Sequence, residues 1–339
     1  MSEASRGRYR SLFWPLVLIG VGVVWLLGNL GLISGANLAV LFRLWPLLLI
    51  AIGLDLLFGR QSPAVGALIG LGMVIVVIAL MLVGPGLGLA GNYQVRTASF
   101  SEPLGDAQSA RVNLDLSVGS NTIEALADSR NLFEADLTYI GEVDFQSGGE
   151  REKVISLSQQ GQNLSWGPFD FFNWIGSTDQ LRWEIGLSPE VPLDLTINGG
   201  VGSSRIDLSG LEISGLSVSA GVGDVTLTLP AMTRPYTARL NGGVSNFTVI
   251  VPEEASVDLE VEGGVGNFTI DVPDSAAVRL EANVGIGNVS VPDRLARVGG
   301  GEEDDGLGDQ GVWETEGYSR AERRIQIRFE GGVGGLTVR

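Results

Sequence analysis

The 339-residue chain has no cysteine and no histidine, and its only lysine is Lys153. Without cysteine there is no disulfide, no thiol nucleophile and no thiolate-ligated zinc or iron–sulfur centre. Without histidine the commonest general base and the commonest transition-metal ligand are missing. Carboxylate-pair chemistry remains open, and a Ser–Lys dyad would rest on Lys153 alone. The expectation is a protein that is not an enzyme, with no cofactor, no metal site and no small-molecule substrate. Positive charge is scarce as well, with 22 Lys and Arg against 39 Asp and Glu. Residues 1–92 hold five Arg and two acidic groups, which leaves 17 basic and 37 acidic groups in residues 93–339. That excess of negative charge repels phosphate backbones, so nucleic acid is excluded as a partner. Anionic lipid headgroups are repelled in the same way.

The first 92 residues are apolar instead. Three runs, at about 12–33, 38–58 and 64–89, each approach the roughly 20 residues that a helix needs to cross a bilayer. They predict a transmembrane region of three helices, with no small-residue cleavage site of a removable signal peptide. The first two runs repeat each other. WPLVLIGVGVVWLLGN at 14–29 aligns with WPLLLIAIGLDLLFGR at 45–60. Proline falls in the first turn of each, where its missing N–H costs least. Gly22 and Gly53 are candidates for close helix approach. Asp55, the one acid within a run, reads as a headgroup-level partner of Arg60 or as a polar contact inside the span. Arg6, Arg8, Arg10 and Arg60 flank the runs on one side, which places the N-terminus in the cytoplasm. Three crossings then put everything after residue 92 outside the cell.

From residue 93 the hydrophobic period changes to two, the period of half-buried strands. A unit recurs within that region. NGGVGSSRIDL, AGVGDVTLTLP, NGGVSNFTVIVP, EGGVGNFTIDVP and NVGIGNVSVP centre on Val201, Val222, Val244, Val265 and Ile286, spaced 21, 22, 21 and 21 residues apart. A further copy surrounds Val333 and a degenerate one Val118. The glycines stand at the same phase in each copy and are followed by a strand. A phosphate cradle would need a helix there. Gly202, Gly223, Gly243, Gly264, Gly266, Asn267, Gly287 and Gly334 are therefore read as structural corners, where Gly and Asn tolerate positive φ. The expected fold of residues 93–339 is a parallel β-solenoid with rungs of about 21 residues, each burying its apolar face on the next. The alternative is an antiparallel β-sandwich of hairpins.

Two insertions interrupt the period, at about 127–190 and 293–318. The first holds Trp166, Phe169, Phe171, Phe172, Trp174 and Trp183, either a partner surface or a cap over the first rung. The second contains GGGEEDDGLGDQG, which reads as a solvated excursion, with calcium binding as the competing reading. Asn163, Asn246, Asn267 and Asn288 match the glycosylation pattern, but a corner Asn before a β-branched strand creates three of those matches by itself.

The doubled Trp-Pro-Leu…Gly run resembles the transmembrane region of LiaI/LiaF-type bacterial envelope proteins. The Gly-Val-Gly-Asn-Phe-Thr units are similar to the C-terminal domain of LiaF-like and toast-rack adhesin-type proteins. The resemblance implies a bacterial membrane protein of the cell-envelope stress response, in which LiaF restrains a membrane sensor kinase. It offers no catalytic residues. The function expected is thus a membrane-anchored regulator or sensor accessory. The alternative is a surface-displayed, adhesin-like scaffold that binds glycan or envelope components.

Overall fold

The computed structural model describes residues 13–30, 37, 40–41, 44–59, 63–87, 95–116, 118–160, 181–299 and 307–339. The chain divides into two compact units, a helical N-terminal one and a large β domain.

In the helical unit, α1 spans Phe13–Asn29, α2 Trp45–Leu54 and α3 Pro63–Val83. Proline opens α2 and α3, where no N–H is required of it. At 1.5 Å per residue, α1 and α2 reach only about 25 Å and 15 Å, short of the roughly 30 Å hydrocarbon core. α3 is the one helix among the described residues long and apolar enough to cross a membrane, over Val65–Val83. The three-span reading is corrected accordingly. Apolar runs mark where a helix can lie, but turn chemistry sets its ends, and α2 passes into a π-helical turn at Asp55–Gly59. Asp55 opens that turn and is buried. The close-approach glycine is also a different one. A Cβ on Gly22 or Gly53 would meet nothing, whereas one on Gly20 would meet the Val74 side chain of α3.

The β domain runs through β1 (Val95–Pro103), β2 (Ser109–Asp115), β3 (Gly119–Ala125) and β4 (Asn131–Ile140). β5 (Glu142–Gly148), β6 (Glu152–Gln160) and β7 (Arg182–Leu187) come from the first insertion. The repeats supply β8 (Leu193–Asn198), β9 (Val201–Asp207), β10 (Ile213–Ser219), β11 (Val222–Thr228), β12 (Tyr236–Asn241) and β13 (Val244–Ile250). They continue with β14 (Val257–Val265), β15 (Phe268–Asp271), β16 (Ala277–Ile286) and β17 (Val289–Ser290). β18 (Leu295–Gly299), β19 (Asp309–Thr315), β20 (Arg324–Val333) and β21 (Leu336–Val338) complete the domain.

All these strands belong to one mixed sheet that nearly closes on itself. Its bulk is two parallel ladders. One stacks β6, β2, β8, β10, β12, β14, β20 and β16. The other stacks β7, β3, β9, β11, β13, β15, β21 and β17. Parallel pairing of successive repeats replaces the hairpins that the sandwich alternative required. The plain solenoid is corrected too, because antiparallel strands bound the ladders. β1 lies on β4 and β4 on β7 at one end, with β5 on β6, while β19 lies on β16 and β18 on β19 at the other. Stacking order also departs from chain order, since β20 and β21 slot between β14–β15 and β16–β17. The second insertion is accordingly not solvated throughout, and β18 and β19 form part of the sheet.

The core sits between the two ladders. Leu114, Ile197, Val218, Leu240, Val261, Phe329 and Ala282 stack in register along one ladder and are buried. Ile123, Ile206, Leu227, Val249, Ile270 and Val338 do the same along the other. Each of these side chains other than Ala282 contributes roughly 1.5–3 kcal/mol by leaving water. Phe247 and Phe268 stack on neighbouring rungs, with ring centroids 5.6 Å apart and planes at 8°.

Candidate partner-binding site

The corner between each pair of strands decides what the domain shows to its surroundings. In EGGVGNF, Val261 faces the core at the end of one strand and Phe268 at the start of the next. The residues between them carry the backbone round the bend. Gly266 has φ +139°, and a Cβ there would collide with the carbonyl oxygen of Ser245 on the rung below. Gly202, Gly223, Gly334 and Gly287 share this conformation in the same column. Gly243 and Gly264 line a second column, where a Cβ would strike the carbonyls of Gly221 and Gly243 in turn. Asn267 closes its corner by accepting a hydrogen bond from the Gly335 N–H at 3.2 Å. The corner residues read from the sequence all fall at this edge of the fold.

The branched residue between the glycine columns is turned outward. Val222, Val244, Val265, Val333 and Ile286 stand in register and are 44 to 55% exposed. Val201 and Val118 continue the line, half-buried. The result is an aliphatic ridge between two glycine-lined troughs. Half-exposure leaves roughly 1 kcal/mol of burial energy unrealised at each residue, which a second surface could supply. Its rims are polar and uncharged or acidic, with Asn241, Glu262, Glu330 and Asn283 on one side and Asp224, Asn246, Asn267 and Asn288 on the other. The repeat singled out these aliphatic positions in the sequence. It did not show that they face out, because the bend shifts the alternation by one residue.

Trp183 leaves the list of surface candidates. It lies on β7, fully buried, between Asn121 of β3 and Leu137 of β4. Trp166, Phe169, Phe171, Phe172 and Trp174 lie outside the described residues, as do the acids of 300–306. Trp183 Nε1 and the facing Asn121 Oδ1 are buried without a hydrogen-bond partner among the described residues.

Elsewhere the ion pairs of the described residues are mostly exposed, and buried polar groups are few. Lys153 donates to Glu102, and the pair is mostly buried. The Lys153 ammonium, and after it the Ser147 hydroxyl, hold the Glu102 carboxyl below its ordinary value of 4.5. This engages the one lysine that a Ser–Lys dyad would need. Burial raises the Tyr236 phenol above its ordinary value, and its hydroxyl donates to the Pro230 carbonyl at 3.3 Å. A polar groove of about 220 Å³ lies among Thr97, Ser99, Asp136, Thr138, Arg182 and Glu184. That is below the roughly 300–1,000 Å³ of small-molecule sites. Among the described residues no three acidic side chains converge as a metal site would need.

The chain is thus an apolar helical segment followed by a ladder-built β domain with an exposed aliphatic edge. The LiaI-LiaF-like transmembrane region matches residues 12–57, and the N-terminal domain of toast_rack, DUF2154, matches residues 90–250. The chain thus joins a LiaI-LiaF-like transmembrane region to a toast-rack domain, the arrangement of a LiaF-like envelope protein. Its membrane association follows from the first of these. Among solved structures it is similar to a candidate cell-adhesion protein of Clostridium sporogenes, at 18% identity and a TM-score of 0.46. That likeness covers 72% of this chain and 99% of the other. A candidate adhesin of Bacteroides fragilis is similar at 12% identity and a TM-score of 0.29, over 73% and 97% of the two chains. No protein of curated function matches.

Proposed function

We propose that this protein is a membrane-anchored, non-enzymatic regulator of the bacterial cell-envelope stress response. It binds a membrane sensor kinase or another envelope protein through the aliphatic ridge of its β domain. The observation that carries the reading is the ridge itself, five branched side chains in register on a domain otherwise strongly acidic. Its rims bear Glu262 and Glu330, which disfavour an anionic lipid surface as the occupant. Among the described residues it bears no aromatic platform of the kind that stacks on sugars, which favours a protein partner over a glycan. The arginines at 6, 8, 10, 43 and 60 all precede α3. With any odd number of crossings, the positive-inside rule keeps the N-terminus in the cytoplasm and puts the β domain outside.

The test is recovery of partners from detergent-solubilised membranes with the full chain, with a chain lacking residues 1–92, and with Val244→Asp. The full chain is expected to retain a membrane protein that Val244→Asp releases. Equal recovery by Val244→Asp removes the ridge from the reading, and recovery of no membrane protein by any form removes the regulator. Protease added to intact cells is expected to cleave the β domain, and protection would place it in the cytoplasm.

A further inference from the structure

The ladder that runs from β7 to β17, with β4 and β1 laid on β7, is finished differently at its two ends. At the end formed by β17, the edge strand is two residues long and a passing segment occupies it. The Gly287 N–H donates to the Leu307 carbonyl at 2.8 Å, and the Val289 N–H to Asp309 Oδ2 at 3.1 Å. At the opposite end β1 is nine residues long and, among the described residues, pairs only with β4. Edges of that length are normally blunted by proline, bulges or inward charges. In β1 the proline, the bulge and the inward charge of Glu102 all sit at its last step, Glu102–Pro103, which leaves an unbulged edge over Val95–Ser101.

The sequence of this edge is complementary to itself. Set antiparallel to a second β1 about a two-fold axis through Ser99, Arg96 faces Glu102, Thr97 faces Ser101, and Ala98 faces Phe100. Opposite charges, small hydroxyls and a large ring against a small methyl then meet in turn, each a favourable cross-strand pairing. Arg96 is exposed and makes no ion pair among the described residues. Lys153 bonds Oε1 of the mostly buried Glu102 and the Ser147 hydroxyl bonds the same carboxylate, whose roughly four lone-pair sites leave room for one further donor. Phe100 is half-buried against Phe145 of β5, with centroids 5.1 Å apart, so the core reaches this end and can continue across it. Moving the axis by one residue either way sets Arg96 against an uncharged residue.

We propose that β1 is a self-association edge: a second copy of this chain adds its own β1 antiparallel, centred on Ser99, joining two β domains into one continuous sheet. Closed two-fold pairing uses both β1 edges at once and leaves neither of them to propagate. Anchoring in one bilayer raises the effective concentration of the two edges without any new contact. The inference is independent of the ridge, which lies at the corners of the fold.

The absence of cysteine makes the test clean. In the full chain held in membranes, Ser99→Cys places two thiols on directly facing residues about 4.5–5.5 Å apart between Cα atoms, within disulfide reach. Ser101→Cys leaves its two thiols on the order of 13 Å apart. Under mild oxidation Ser99→Cys is expected to form covalent dimer at least fivefold faster than Ser101→Cys or the exposed Thr337→Cys. Combining Thr97→Cys with Ser101→Cys is expected to restore the cross-link, and adding Arg96→Glu to Ser99→Cys to reduce it severalfold. A Ser99→Cys rate no greater than that of Thr337→Cys overturns the proposal. So does a Ser101→Cys rate equal to that of Ser99→Cys, which shows another register.

Discussion

Ser245 occupies the position that glycine holds on the rungs to either side of it, and Gly266 packs its backbone directly against the Ser245 carbonyl. The serine does not share the positive φ of Gly223 and Gly266, and its hydroxyl is buried without a partner. The column therefore tolerates one departure, at the cost of a buried unsatisfied group, while its glycines remain sterically committed. Gly266→Ala is expected to destabilise the domain by about 2 kcal/mol or more, from a Cβ that collides with a carbonyl at a left-handed φ. Ser245→Gly is expected to be near neutral, because relief of the hydroxyl, about 1–3 kcal/mol, is offset by glycine's extra unfolded-state entropy. Urea unfolding of the two variants checks both.

The ring stack of Phe247 and Phe268 lies in the middle of the ladders, where no end strand can close a gap. Phe268 also meets Phe329 edge-on, with centroids 5.2 Å apart. Phe268→Ala is expected to cost about 3–5 kcal/mol. Phe247→Leu, which keeps most of the volume, is expected to cost much less. Thermal melting of both variants at one pH separates them.

Glu102 gives the domain an acid-sensitive link between β1 and β6. Its folded-state pKa is depressed by Lys153, so the link contributes stability above the ordinary carboxylate value near 4.5. That contribution is lost as pH falls through the lower folded-state value. Glu102→Gln is expected to reduce stability at pH 7 and to flatten this part of the acid limb. Denaturant midpoints measured from pH 7 down to about pH 3 check the slope. An unchanged slope would mean that the pair adds nothing beyond its packing.

The ridge offers a contrast with the core. Val265→Asp on the exposed edge is expected to change stability by less than about 0.5 kcal/mol, since the side chain already stands half in water. Val261→Asp, four residues earlier, is expected to unfold the domain, because it buries an unpaired charge. Circular dichroism of the two variants distinguishes the faces, and Val265→Asp should still lose the membrane partner.

Much of the β domain was legible residue by residue. Alternation in SVDLEVEGGVGNFTIDVP assigns Val257, Leu259, Val261, Phe268, Ile270 and Val272 to one face, and all six are buried. The glycine phase located the corners, because positive φ and backbone stacking admit little else. Burial of Trp183 removes it from the partner-surface reading and leaves the cap reading, since its neighbours in space are β3 and β4. The apolar runs of the first 92 residues were visible, but their division into spans was not. Hydrophobicity does not record where a helix passes into a π-turn.

What the sequence by itself determined is the period, the inward face and the corner, since these depend on backbone sterics and alternation within about 20 residues. What only the tertiary structure decided is the order of stacking and the finish of each end. The rung edges are alike, so local pattern cannot say that the copy at Val333 belongs between those at Val265 and Ile286. That choice is made by contacts distant in sequence. β19 folds antiparallel onto the far edge of β16, making β16 the last parallel rung, and the returning chain takes the place left inside it.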